Sequence, residues 1–281
     1  MTVLFIDRCR SFIAAFLLIY FCVCSAHLSH AMTFEISQAD MMLMAERVFK
    51  NECSVEKNCL LEWGAGEDFL SLGLEHFIWF PDNTHGIFKD SFRSYLQYAR
   101  KAGEQLPVSL DKTPFPSCLW SSRKEFLNSK TSPEYQDIVN FMTKTKHCQA
   151  DYLIETTKRS LQKIIDAAPQ AQRSRITKDI FQLSSNAQGL YAIIDYINFK
   201  GSGIGQDERY QGEGWGLLQV LEGMNDTSNA QEILAEFVRS AKNILNHRVF
   251  NAPNNRHEER WLQGWLRRVE TYLIFQSGGQ S

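Results

Sequence analysis

A mainly helical α+β fold is predicted for this 281-residue chain by three observations. Apolar residues recur at helical spacing over most of its length, strand formers concentrate between Phe69 and Phe80, and glycines and prolines punctuate the helical runs at short intervals. Near-balanced charge, formally −2, and 44% hydrophobic residues fit a globular chain with a sizeable core rather than a disordered one.

The first thirty-one residues read as an export signal. Arg8 and Arg10 give a positive start, Phe12 to Val23 is an unbroken apolar run too short to span a bilayer comfortably, and small residues follow. Cleavage fits after Ala26 or after Ala31, and Ala31 is favoured because it leads directly into a helical segment. An uncleaved anchor is the alternative; nothing later is apolar enough for a second span. The expected mature chain, 32–281, is a single domain outside the cytoplasm, periplasmic or secreted. Its slightly acidic balance argues against general nucleic-acid binding.

Ser37-Gln38-Ala39-Asp40 resembles a capping box, and Met41, Met44, Ala45, Val48 and Phe49 then recur on one face, so a first helix should run to about Cys53. Glycines in Glu62-Trp63-Gly64-Ala65-Gly66-Glu67-Asp68 break it. The strand-rich stretch from Phe69 to Phe80 follows and closes at Pro81-Asp82-Asn83, giving the one clear β region expected. Helices are then expected over about 91–102, 133–147, 150–167, 171–184, 187–199, 216–223, 229–247 and 257–275. Ser132-Pro133-Glu134 supplies a cap, a first-turn proline and a first-turn acid, and Gly201 supplies a stop. Between 201 and 215 lies a Gly-rich loop heavily loaded with polar side chains, a kind of segment that often carries function.

Of seven cysteines, Cys53, Cys59, Cys118 and Cys148 remain after the signal. An even set in an oxidising compartment suggests two disulfides. Three pairings are open. Sequence order favours Cys53–Cys59 with Cys118–Cys148, and four free thiols are the alternative. No spacing suggests a metal site, and no cofactor is expected.

Glu52 lies four residues after Val48 and eight after Met44, so it continues the apolar stripe of its helix. A desolvated carboxyl there would have a raised pKa, as a general acid requires. Periodicity alone also allows an acid at a frayed helix end that turns to water. The following segment Ser71-Leu72-Gly73-Leu74-Glu75-His76 resembles the Thr-Ile-Gly-Tyr-Gly-His hairpin that follows the catalytic glutamate in phage-type lysozymes. Trp261-Leu262-Gln263-Gly264-Trp265-Leu266-Arg267-Arg268 is similar to the closing Leu-Pro-Gly-Leu-x-x-Arg-Arg helix of that family. The resemblance implies a lysozyme-like domain with a helical insertion at about 104–200, Glu52 as general acid, Ser71 positioning water, and His76 lining the sugar cleft. Glu75 departs from the family's second glycine.

Glycoside hydrolysis needs a second group for the water or the oxocarbenium ion. In an unbroken strand Glu67, Ser71 and Glu75 would share one face, with His76 on the other, so Glu67 or Glu75 is the candidate second carboxylate. A further constellation is Glu208-Arg209-Tyr210-Gln211-Gly212-Glu213-Gly214-Trp215-Gly216-Leu217-Leu218-Gln219. Its Gly-Leu-Leu-Gln resembles the Gly-Leu-Met-Gln of lytic transglycosylases and goose-type lysozymes. Tyr210 and Trp215 offer flat faces to sugar rings; Glu208, Arg209 and Gln219 offer hydrogen bonds. A buried aromatic helix start with a charged rim is the competing reading.

The expectation is an exported, muramidase-like glycoside hydrolase acting on the glycan strands of peptidoglycan. A lytic transglycosylase, or a non-catalytic periplasmic protein that binds glycan or another protein on the same scaffold, are the alternatives.

Overall fold

The Ser37 hydroxyl accepts from the Asp40 amide at 3.0 Å and starts α1 (Gln38–Glu52) as the capping signature requires. The computed structural model describes residues 37–52, 60–84, 86, 89–227, 229 and 232–274, with backbone alone for Gln38, Ala39 and Phe49–Glu52. The expected export signal, the Glu52 side chain, Cys53 and Cys59 therefore lie outside the described residues. Those described fall in one compact unit.

A small antiparallel sheet follows, in the order β1 (Leu61–Glu62), β2 (Leu70–Leu72), β3 (Phe77–Trp79). Leu61 pairs with Leu72, and Leu70 with Trp79. The helices are α2 (Phe92–Lys101), α3 (Arg123–Asn128), α4 (Pro133–Lys144), α5 (Lys146–Ala167), α6 (Arg173–Ser184) and α7 (Ala187–Lys200). After a two-stranded ribbon, β4 (Arg209–Tyr210) and β5 (Glu213–Gly214), come α8 (Leu217–Glu222), α9 (Ile233–Asn251) and α10 (Glu259–Glu270). The fold is thus α+β and mainly α, as expected.

Local chemistry sets the boundaries. Ser132 accepts from the Tyr135 amide ahead of the first-turn Pro133 in α4, and Asn186 accepts from the Gly189 amide at the start of α7. Gly201, at φ 88°, ends α7 in a conformation that costs a residue with a side chain.

One core lies under the sheet. Leu70, Leu72, Phe77, Trp79, Phe92, Tyr95, Trp120 and Phe126 are buried there together with Met142 and Tyr152. Phe77 stacks on Tyr95 at 4.6 Å, and Trp120 meets Trp79 and Phe126 edge-on. The apolar run from Leu190 to Ile194 in α7 is buried among α6, α8 and the 271–274 turn. Within 104–200, expected as an insertion, α5 packs on α1, α2, α4 and α6.

Three features depart from expectation. The β region has a third strand, β1, and a second β element exists at 209–214. There Gln211 and Gly212, at φ 52° and 85°, form a tight turn whose twist suits a two-residue hairpin. Cys118 and Cys148 are buried free thiols, so the Cys118–Cys148 bridge is not formed. Burial pushes both thiols up, to about 12 and about 11, as expected of cysteines that serve as small apolar side chains.

Candidate functional site

The hairpin turn Gly73-Leu74-Glu75-His76 is held from below by α5. The Leu74 amide donates to Oε1 of the fully buried Gln149 at 2.9 Å, and Gln149 Nε2 donates to the Met142 carbonyl at 2.7 Å. Gly73 is required twice over. Its φ is 71°, and a Cβ there would collide with Gln149 Oε1 and the Met142 methyl. His76 closes the turn at φ 50°, its amide donating to the Gly73 carbonyl at 3.3 Å.

Glu75 is the unusual member. Its Oε1 is sealed from solvent and has no hydrogen-bond partner. Burial drives the carboxyl well above the usual carboxylate range. Its charge, when present, also raises the neighbouring Tyr152 phenol, which burial has already pushed up.

The carboxylates expected on one strand face do not share a strand, because β2 is only three residues long. Gly66 at φ 89° and Gly73 turn the chain on either side of it. Ser71 lies mid-strand opposite Ile78 and is 7% exposed. Glu67 sits on an exposed turn, its side chain folded back over Gly64 and its carbonyl accepting from Trp63 Nε1 at 2.7 Å. Glu52 is the last residue of α1, and its side chain is outside the description.

The polar loop beyond α7 is largely self-satisfied. Glu208 accepts from the amides of Ser202, Gly203 and Gly205. Arg209 donates to the carbonyls of Gly212 and Gly203, both at 3.2 Å. Gln219 accepts from the Gly216 amide and donates to the Gly203 carbonyl. Tyr210 and Trp215 face each other at 4.4 Å under the Arg248 guanidinium, and Trp215 is 7% exposed. These rings pack inward. Arg268 forms a two-pronged pair with buried Asp195, which also accepts from the Tyr272 hydroxyl.

Two of the expected loop residues, Arg209 and Gln219, do line a pocket of about 530 Å³ between the ribbon, α8, α9 and the end of α5. No described residue of the 73–76 turn lines it. The pocket adds two residues that sequence reasoning passed over, Glu222 and His247. Glu222 ends the apolar helix Leu217-Leu218-Gln219-Val220-Leu221-Glu222, and an acid closing such a run was the available signal. Burial raises its carboxyl against the opposing pull of the Arg209 and Arg175 guanidiniums.

Among the described residues, no group of three or more His, Cys, Asp or Glu side chains is placed to hold a metal ion. No helix among them is long and apolar enough to cross a membrane. Comparison with known family models, curated proteins and solved structures finds no match to the chain.

Proposed function

We propose that the chain is an exported glycosidase of the peptidoglycan glycan strands, with its proton donor on the hairpin turn. The observation that carries this reading is Glu75, whose Oε1 is sealed from solvent without a hydrogen-bond partner and whose carboxyl burial drives well above the usual carboxylate range, the direction a general acid requires. The reading also rests on the resemblance of the Ser71–His76 segment to the hairpin of phage-type lysozymes. In this reading Glu75 protonates the leaving oxygen. Glu52 serves as the ionised partner, and the Ser71 hydroxyl lies on the strand that leads into the turn. A general acid and an ionised group are the two parts that glycoside hydrolysis requires.

The test is incubation of purified protein, Glu75→Gln and Glu52→Gln with peptidoglycan, with the soluble fragments analysed by mass. Hydrolysis by the wild type, and its loss in both variants, supports the assignment. Fragments with 1,6-anhydro ends select a lytic transglycosylase. Glycan binding by all three folded proteins without cleavage sinks the enzyme and leaves a binding protein. That second reading has its own support, since the inward packing of Tyr210 and Trp215 leaves few free aromatic faces at the loop.

A further inference from the structure

The pocket beneath the β4–β5 ribbon has a different chemistry from the hairpin. About 530 Å³ suits a ligand of one or two residues or a single sugar. Its lining includes half-buried Glu222 and Arg209. Arg209 uses one donor on each terminal nitrogen for a backbone carbonyl, and each of those nitrogens keeps a second N–H. His247 stands exposed at the rim.

The remaining charges near Glu222 are largely committed. On α6, Arg175 pairs with buried Asp179 and caps the carbonyls of Leu221 and Glu222, and Lys178 pairs with Asp226. On α9, Arg239 pairs with Glu236. On β5, Glu213 accepts from Asn251. At the end of α5, Asp166 accepts from Gln162. With Glu222 protonated, Arg209 is the one guanidinium or ammonium among the described residues that line the pocket, beside a carboxyl able to donate.

We propose that this pocket binds an organic carboxylate, held by Arg209 and by a hydrogen bond shared with the Glu222 carboxyl. A bound anion stabilises the proton on Glu222, so binding takes up protons and strengthens as the pH falls toward the range where Glu222 is fully protonated. Peptidoglycan offers two carboxylates of the right size, the lactyl group of a muramic acid freed of its stem peptide and the C-terminus of a stem peptide. The choice of probes therefore rests on the glycan reading, but the pocket's chemistry does not.

Titration calorimetry in buffers of different ionisation heat tests this with three probes: N-acetylmuramic acid, N-acetylglucosamine and N-acetyl-D-alanyl-D-alanine. At least one carboxylate probe should bind with proton uptake, about threefold or more tighter near pH 5.5 than near pH 7.5, while N-acetylglucosamine does not. The probe that binds names the source. Glu222→Gln keeps a donor but cannot titrate, so it should bind with the proton uptake and most of the pH dependence gone. His247→Gln should keep the proton uptake. Failure of both carboxylate probes, equal binding of N-acetylglucosamine, or unchanged proton uptake in folded Glu222→Gln would each overturn the proposal. None of these results bears on whether peptidoglycan is cleaved, so the two readings fail separately.

Discussion

Glu75, half-buried in the hairpin turn with one carboxyl oxygen sealed, and Glu258, buried between the ribbon and α10, titrate in opposite directions. Burial alone raises each. At Glu258 the raising is overcome by hydrogen bonds from Arg248 and the Tyr210 hydroxyl and by the charges of Arg248 and Lys200, which hold the carboxyl below its usual range. At Glu75 no partner opposes the burial. Depth therefore does not decide a buried acid's state; the partners that accompany it do. Glu258 is built as structure, while the sealed oxygen of Glu75 is left without a partner, an arrangement that costs stability and is therefore informative about use.

The sharpest way to break this contrast is Glu258→Ala, which strands Arg248 against Trp215 and Trp265 without its counter-charge. A loss of about 3 kcal/mol is expected in urea unfolding. Little or no loss would mean that the pair is not a structural anchor. Next is Gly73→Ala, which adds a Cβ at positive φ against Gln149 and Met142. It should cost about 2 kcal/mol, read as a lower melting temperature.

Glu75→Gln has a smaller effect and a distinctive pH dependence. A raised folded-state pKa gives stability that is fully present below the unfolded value of about 4.3 and is lost as the pH rises toward the folded value. The variant should therefore match the wild type in acid and exceed it by about 1 kcal/mol or more at neutral and alkaline pH. Glu258→Gln should behave in the mirrored sense. The wild-type advantage there is present above about pH 4.3 and disappears as the pH falls through the lowered folded value. Parallel unfolding curves over pH for the two variants compare them directly, and equal slopes would remove the distinction. The smallest effect belongs to Asp111→Ala, which removes the exposed ion pair with Arg100. It should change stability by less than about 0.5 kcal/mol, with calorimetric scans that overlay.

Much of the helical frame was legible because its signals are local. The Ser37 and Ser132 caps, Pro133 and the Gly201 stop all act where the sequence pattern puts them. The short α3 went unread although Ser122-Arg123-Lys124-Glu125 carries a capping signature, and Ser122 does accept from the Glu125 amide. The ribbon at 209–214 was read as loop because two-residue strands are too short for periodicity to register. Its only trace was a glycine beside Gln211. The shared face of Glu67, Ser71 and Glu75 rested on an unbroken strand, and Gly66 and Gly73 end it on both sides. Burial of Glu75 could not be read at all, because it is imposed by α5, whose Gln149 and Tyr152 lie more than seventy residues further along the chain.

Gln149 also has a kinetic consequence. Its carboxamide accepts from Leu74 while donating to Met142, so the loop amide is paired to a helix side chain rather than to a neighbouring strand. Hydrogen exchange at the Leu74 amide therefore requires the turn to separate from α5, not merely the hairpin to fray at its end. That single amide is a clock for the opening of the surface that shields the Glu75 carboxyl.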